Sequence, residues 1–119
     1  MADRGRSGGR LTRGGGESAE LRRLRRRIDA LDRRIVGLLN ERARLALDVG
    51  AAKAANGRPV RDPDREREVL LRVTMGNDGP LPQAELLALY RRLIASTRRL
   101  EGEARRRASA HDGAPTERD

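Results

Sequence analysis

The residues of this chain best suited to chemistry are charged side chains that interrupt otherwise apolar helical faces. The stripe Leu21, Leu24, Ile28, Leu31, Ile35, Leu38, Arg42, Leu45, Val49 advances in steps of three and four. That is the spacing of a helix with one buried face. Eight of the nine positions are aliphatic and one is Arg42. A guanidinium does not deprotonate in proteins, and burying it alone is costly. Either Arg42 snorkels out of a coiled-coil seam or an anion comes to meet it. Lys53 follows Arg42 by eleven residues, about three helical turns, so both project from nearly one face roughly 16 Å apart. Their long side chains can converge on a small anion between them. Arg25 precedes Arg42 by seventeen residues, about 25 Å along the axis and roughly 100° around it. It reaches the same anion only from the antiparallel helix of a partner subunit.

Acidic and hydroxyl side chains form a second group. Asp62 and Glu66 are four residues apart and share a helical face with Val69 and Val73. Arg65 sits beside them. A capped, solvated first turn with ordinary ion pairs explains Asp64, Arg67 and Glu68; for Asp62 and Glu66 an inward, functional face is an equal alternative. Thr97 and Glu101 continue the face of Tyr90, Leu93 and Ile94. A glutamate near a helix end is commonly just exposed, yet the phase of Glu101 points inward.

Three helices, and no strands, are needed to position these groups. Ser18 is a candidate N-cap, the periodic pattern runs to about Ala55, and Asn56-Gly57 supplies a stop. Such a helix is roughly 55 Å long, whereas a compact domain of this size has a radius of gyration of about 13–14 Å. A second chain is therefore expected to cover it. Asp62-Pro63 opens a second helix, an N-cap followed by proline in the first turn, which continues to about Met75. Gly76-Asn77-Asp78-Gly79-Pro80 breaks it, and a third helix runs from about Pro82 to Arg106. The expected architecture is all-α, with long, short and medium helices in an intertwined homodimer. Residues 1–17, rich in glycine and arginine, read as a disordered basic tail. Residues 18–106 read as the helical domain and residues 107–119 as a polar C-terminal tail.

Composition narrows the chemistry. The 119 residues contain no cysteine, which rules out disulfides and thiolate metal sites. The lone histidine, His111, lies in the polar tail, so neither a zinc site nor a histidine-based triad is expected. No apolar run approaches the roughly 20 residues that span a bilayer, and no signal-peptide core is seen, so a soluble cytoplasmic protein is expected, with no membrane partner. The net charge of +9 and pI near 11.5 call for an anionic partner. One tyrosine and no tryptophan or phenylalanine argue against nucleic acid, which usually needs stacking platforms. Helix-turn-helix and zinc-finger spacings are absent too.

These residues also carry a resemblance. The run LRRLRRRIDALDRRIVGLLNERARLALDVGAAKAANGRPVRDPDREREVL resembles the first two helices of the all-α chorismate mutases, the bacterial type II, intertwined-dimer family. The matching motifs are LRxxIDxLDxxIvxLLxxR, VGxxK and RPVxDpdREr, and LIASTRRLE resembles the family's last site segment. The likeness covers about residues 20–103, and the combination is specific where each piece alone is weak. It implies rearrangement of chorismate to prephenate in aromatic amino acid biosynthesis, without cofactor or metal. It implies that Arg42, and Arg25 of the other subunit, hold the two carboxylates of the substrate. Lys53 would bind a carboxylate and the ether oxygen, Asp62 and Glu66 would orient the ring and its C4 hydroxyl, and Arg65 would complete the cationic wall. Two equivalent sites per dimer are implied, each built from both chains.

Such a reaction needs no nucleophile. The protein selects a compact conformer of a flexible dianion and stabilises charge that develops on the ether oxygen. The chain departs from the family's pattern at Thr97 and Glu101, where serine and glutamine are common. Threonine keeps a hydroxyl. Glu101 changes more, because a carboxyl donates a hydrogen bond only when protonated; activity that rises toward acidic pH is expected. Alternatives on the same scaffold are a 4-amino-4-deoxychorismate mutase and an isochorismate-pyruvate lyase. A basic helical dimer that binds nucleic acid, with strong salt dependence, is a more distant one. No dehydratase, dehydrogenase or synthase pattern accompanies the helices, so a monofunctional chain is expected. The arginine-rich C-terminus leaves room for a partner enzyme that stimulates the activity.

Overall fold

The computed structural model describes residues 16–113. Residues 1–15, most of the expected N-terminal tail, and 114–119, the end of the expected C-terminal tail, lie outside the described residues. Among the described residues there are three helices and no strand: α1 (Ala19–Ala55), α2 (Pro63–Gly76) and α3 (Gln83–Gly113). None is long and apolar enough to cross a membrane. By its internal packing the chain divides at Asn40 into two units.

The helix ends follow from local chemistry. Ser18 caps α1: its Oγ accepts from the Leu21 N–H at 3.1 Å. At the other end Gly57 takes φ +70°, the left-handed conformation that glycine adopts without a Cβ clash. The Arg58 N–H then reaches the Lys53 carbonyl at 2.8 Å and the Gly57 N–H reaches that of Ala54 at 3.1 Å. This Schellman pairing satisfies carbonyls that the helix end would otherwise orphan. Asp62 caps α2, accepting from the Arg65 N–H at 3.2 Å, with Pro63 in the first turn. Asn77 joins α2 to α3: its side-chain amide donates to the Leu81 carbonyl at 3.1 Å and to Gln83 Oε1 at 3.0 Å.

The third helix departs from expectation at its end. It continues past Arg106 to Gly113, so residues 107–113 of the expected polar tail are helical. Polar composition does not end a helix. The segment ARRRASA is made of good helix formers, and the first glycine beyond it is Gly113.

The first unit, as described, is the N-terminal part of α1, and its apolar stripe is open. From Leu21 to Leu38 the stripe residues are 38% to 59% exposed. In the second unit, residues 41–55 of α1, α2 and α3 form the packed part. Ile94 and Thr97 on α3 are buried, and so is Gly50 on α1. Gly50 is buried because a side chain passes over it. A Cβ built there would lie 3.1 Å from Cγ and 3.3 Å from Oε1 of Glu101.

Candidate active site

The second unit contains a cavity of about 300 Å³, within the size range of small-molecule sites. Each helix contributes charged groups to its wall. From α1 come Arg42 and Lys53, from the α2 start Asp62, Arg65 and Glu66, and from α3 Thr97, Arg98 and Glu101. Apolar contributions include Val49, Val69 and Ile94. Seven of the eight residues singled out from the sequence therefore line one cavity. Arg25 is not among its lining residues; it lies in the first unit, paired with Glu17.

Lys53 is the most constrained of the cations. Its Nζ donates to the Val60 carbonyl at 2.6 Å and stands 3.3 Å from Glu101 Oε1. The two side chains are only 14% and 11% exposed. The phase of Glu101 therefore does turn it inward, and the exposed helix-end alternative does not hold. Its Oε1 is buried and receives no hydrogen bond from the protein among the described residues. The ion-pair distance and that orphaned oxygen are reconciled by geometry: the ammonium aims a proton at the Val60 carbonyl and only neighbours the carboxylate. Gly50 leaves the room in which the Glu101 side chain lies against α1, since a Cβ there would crowd it.

The other groups are held more loosely. Among the described residues Arg42 has no carboxylate within ion-pair distance, and it is partly buried. Its guanidinium is the cation of the wall least satisfied by the protein. Arg65 donates to Glu68 at 2.6 Å. That hydrogen bond, with the charge of Arg72 behind it, holds the Glu68 carboxyl below its ordinary value of 4.5. Asp62 gives one oxygen to the α2 cap. The Thr97 hydroxyl donates within its own helix, 3.1 Å from the Ile94 carbonyl and 3.2 Å from that of Leu93, so toward the cavity it offers lone pairs.

Sequence reasoning missed Arg98. It lines the cavity and donates to Glu66 Oε2 at 2.6 Å, an α3-to-α2 bond across 32 positions of chain. Arg98 follows Thr97 directly, and in LIASTRRLE it reads as one of two solvated arginines. Helical phase does separate it from Arg99, since it lies four residues after Ile94 and three before Glu101, on the face they share. Gly50 was missed as well; its signal is a glycine inside an otherwise regular helical pattern, which marks a close approach.

Four cations and three carboxylates surround one small cavity of a helical protein, a lining with the charge and the donors to hold a small anion in one orientation. The chain belongs to the chorismate mutase type II family, whose profile matches residues 24–102. It is 40% identical over 86 residues to the bifunctional chorismate mutase/prephenate dehydratase of Aquifex aeolicus, covering 69% of this chain and 24% of that one. To the enzyme of the same description from Escherichia coli K12 it is 44% identical over 72 residues, 60% of this chain and 19% of the other. The chain thus spans about a quarter or less of the length of these relatives. Among solved structures it resembles chorismate mutase (form II) from Thermus thermophilus, with a TM-score of 0.68 and 34% identity. That match covers 70% of this chain and 94% of the Thermus chain.

Proposed function

We propose that this protein is a chorismate mutase that converts chorismate to prephenate in the cavity of its second unit. The observation that carries the reading is the convergence of Arg42, Lys53, Asp62, Arg65, Glu66, Thr97 and Glu101 on one cavity wall in a chain of this family. The reaction is a [3,3] rearrangement. The ether C–O bond breaks while a C–C bond forms, electrons move within the substrate, and no proton or group leaves it. Two tasks fall to the protein. Arg42 takes a substrate carboxylate, and Asp62 and Glu66 accept from the ring hydroxyl; this selects the compact conformer in which the bonding carbons face each other. Lys53 donates toward the ether oxygen as it gains negative charge, with Glu101 beside it in the wall. Arg65 adds positive potential at the rim, and Thr97 offers an acceptor beside Glu101.

The reading includes a homodimer in which Arg25 of each chain serves the other's cavity and grips the second carboxylate. Support comes from the open stripe between Leu21 and Leu38, a surface that soluble proteins normally cover. It also comes from the near absence of buried apolar side chains: among the described residues only Ile94 is buried. A stimulating partner enzyme is the last element, supported by relatives that join a dehydratase to the mutase in one chain.

The test is chorismate consumption by the purified protein from about pH 4.5 to about pH 8, with the product, an isomer of the substrate, identified by its acid conversion to phenylpyruvate. Turnover to prephenate is expected. Absence of turnover across the range would overturn the reading.

A further inference from the structure

Resting on the mutase reading, we infer that Arg98 is a positioning and specificity-determining residue: it pins and neutralises Glu66 so that the site accepts a ring hydroxyl and rejects a ring ammonium. Asp62 and Glu66 face the cavity together. A pair of uncompensated carboxylates is a natural seat for a cation, so alone they would welcome a substrate analogue with an amino group in place of the ring hydroxyl. Arg98 alters that preference. Its Nη1 lies 2.6 Å from Glu66 Oε2, and the side chains are 33% and 23% exposed, partly shielded from water.

The consequences are geometric and electrostatic. One Glu66 oxygen is committed to Arg98 and the other remains to accept from a hydroxyl. Asp62 is committed in the same way, with one oxygen on the α2 cap. Each acid thus presents one uncommitted oxygen, which suits a neutral O–H donor. An ammonium would need the charge of Glu66, but Arg98 already takes it and would itself repel the incoming cation. The lining groups reinforce this, since cations outnumber carboxylates by four to three.

Arg98→Met, Arg98→Lys, Glu66→Gln and the Arg98→Met/Glu66→Gln double variant separate this role from a structural one. Each is assayed with chorismate and with 4-amino-4-deoxychorismate, alongside thermal unfolding. Wild type is expected to prefer chorismate. Arg98→Met is expected to shift the kcat/KM ratio toward the amino compound about tenfold, carried mainly by KM, while Arg98→Lys retains most of the wild-type ratio. In the Glu66→Gln background the Arg98→Met change is expected to move the ratio far less, because the carboxylate through which Arg98 mainly acts is gone. An equal loss on both compounds in Arg98→Met, with or without a lower Tm, would overturn the inference and leave the mutase reading intact. Wild-type preference for the amino compound would do the same. Wild-type turnover of neither compound would overturn the mutase reading and this inference with it.

Discussion

In the proposed reaction, Glu101 is the residue that most needs a direct test. Its carboxyl is buried beside Lys53 and backed by Gly50, and only its protonated form donates a hydrogen bond. Glu101→Gln is nearly isosteric and donates at every pH. It is expected to raise kcat/KM near neutrality by supplying a donor toward the ether oxygen; an unchanged or lower kcat/KM in the variant would refute the role. For Arg42 and Lys53, truncation to alanine removes a preorganised donor. Each change is expected to lower kcat/KM by about 10²–10³, with helicity by circular dichroism retained. Arg42 is legible in the sequence because a charge inside an aliphatic stripe breaks a pattern. Arg98 is not, because its meaning depends on Glu66 in another helix, and no local rule joins positions that far apart.

At the scale of the element, Asp62 has two duties, capping α2 and facing the cavity. Asp62→Asn keeps a capping oxygen, whereas Asp62→Ala loses it at about 1 kcal/mol. Thermal unfolding is expected to separate the two variants, and activity to fall in both. The ion pairs of α2 give a second expectation. The folded-state pKa of Glu68 is lowered by Arg65 and Arg72, so its stabilising effect is present above its ordinary value and fades as pH falls through the depressed one. The Tm difference between wild type and Glu68→Gln is therefore expected to be small at neutral pH and to vanish in acid. Helix starts and stops are readable from sequence wherever the chemistry is local, at Ser18, Asn56-Gly57 and Asp62-Pro63. The end of α3 is not, because polarity alone is no stop: backbone propensity carries Arg105 to Ala110 onward as helix.

For the molecule as a whole, the proposed exchange of Arg25 between chains has a direct test. Arg25→Ala and Arg42→Ala proteins should each be nearly inactive. Mixed after unfolding and refolded together, they form heterodimers with one intact site, and about a quarter of wild-type activity should return. Failure of the mixture to regain activity would rule out the exchange of Arg25 between chains. Stability should also rise with protein concentration, since association and burial of the Leu21–Leu38 stripe would be one event.

The bond from Lys53 to the Val60 carbonyl bears on how such a protein can change over generations. The acceptor belongs to the main chain, so no exchange of one amino acid for another at position 60 deletes it. Drift in the side chains of the connector is harmless to the lysine as long as the path of the backbone is kept. Insertions, deletions or a new proline near Val60 are what would untie it. Among descendants of this chain, the length of the segment from Asn56 to Arg61 should therefore be inherited more faithfully than its spelling.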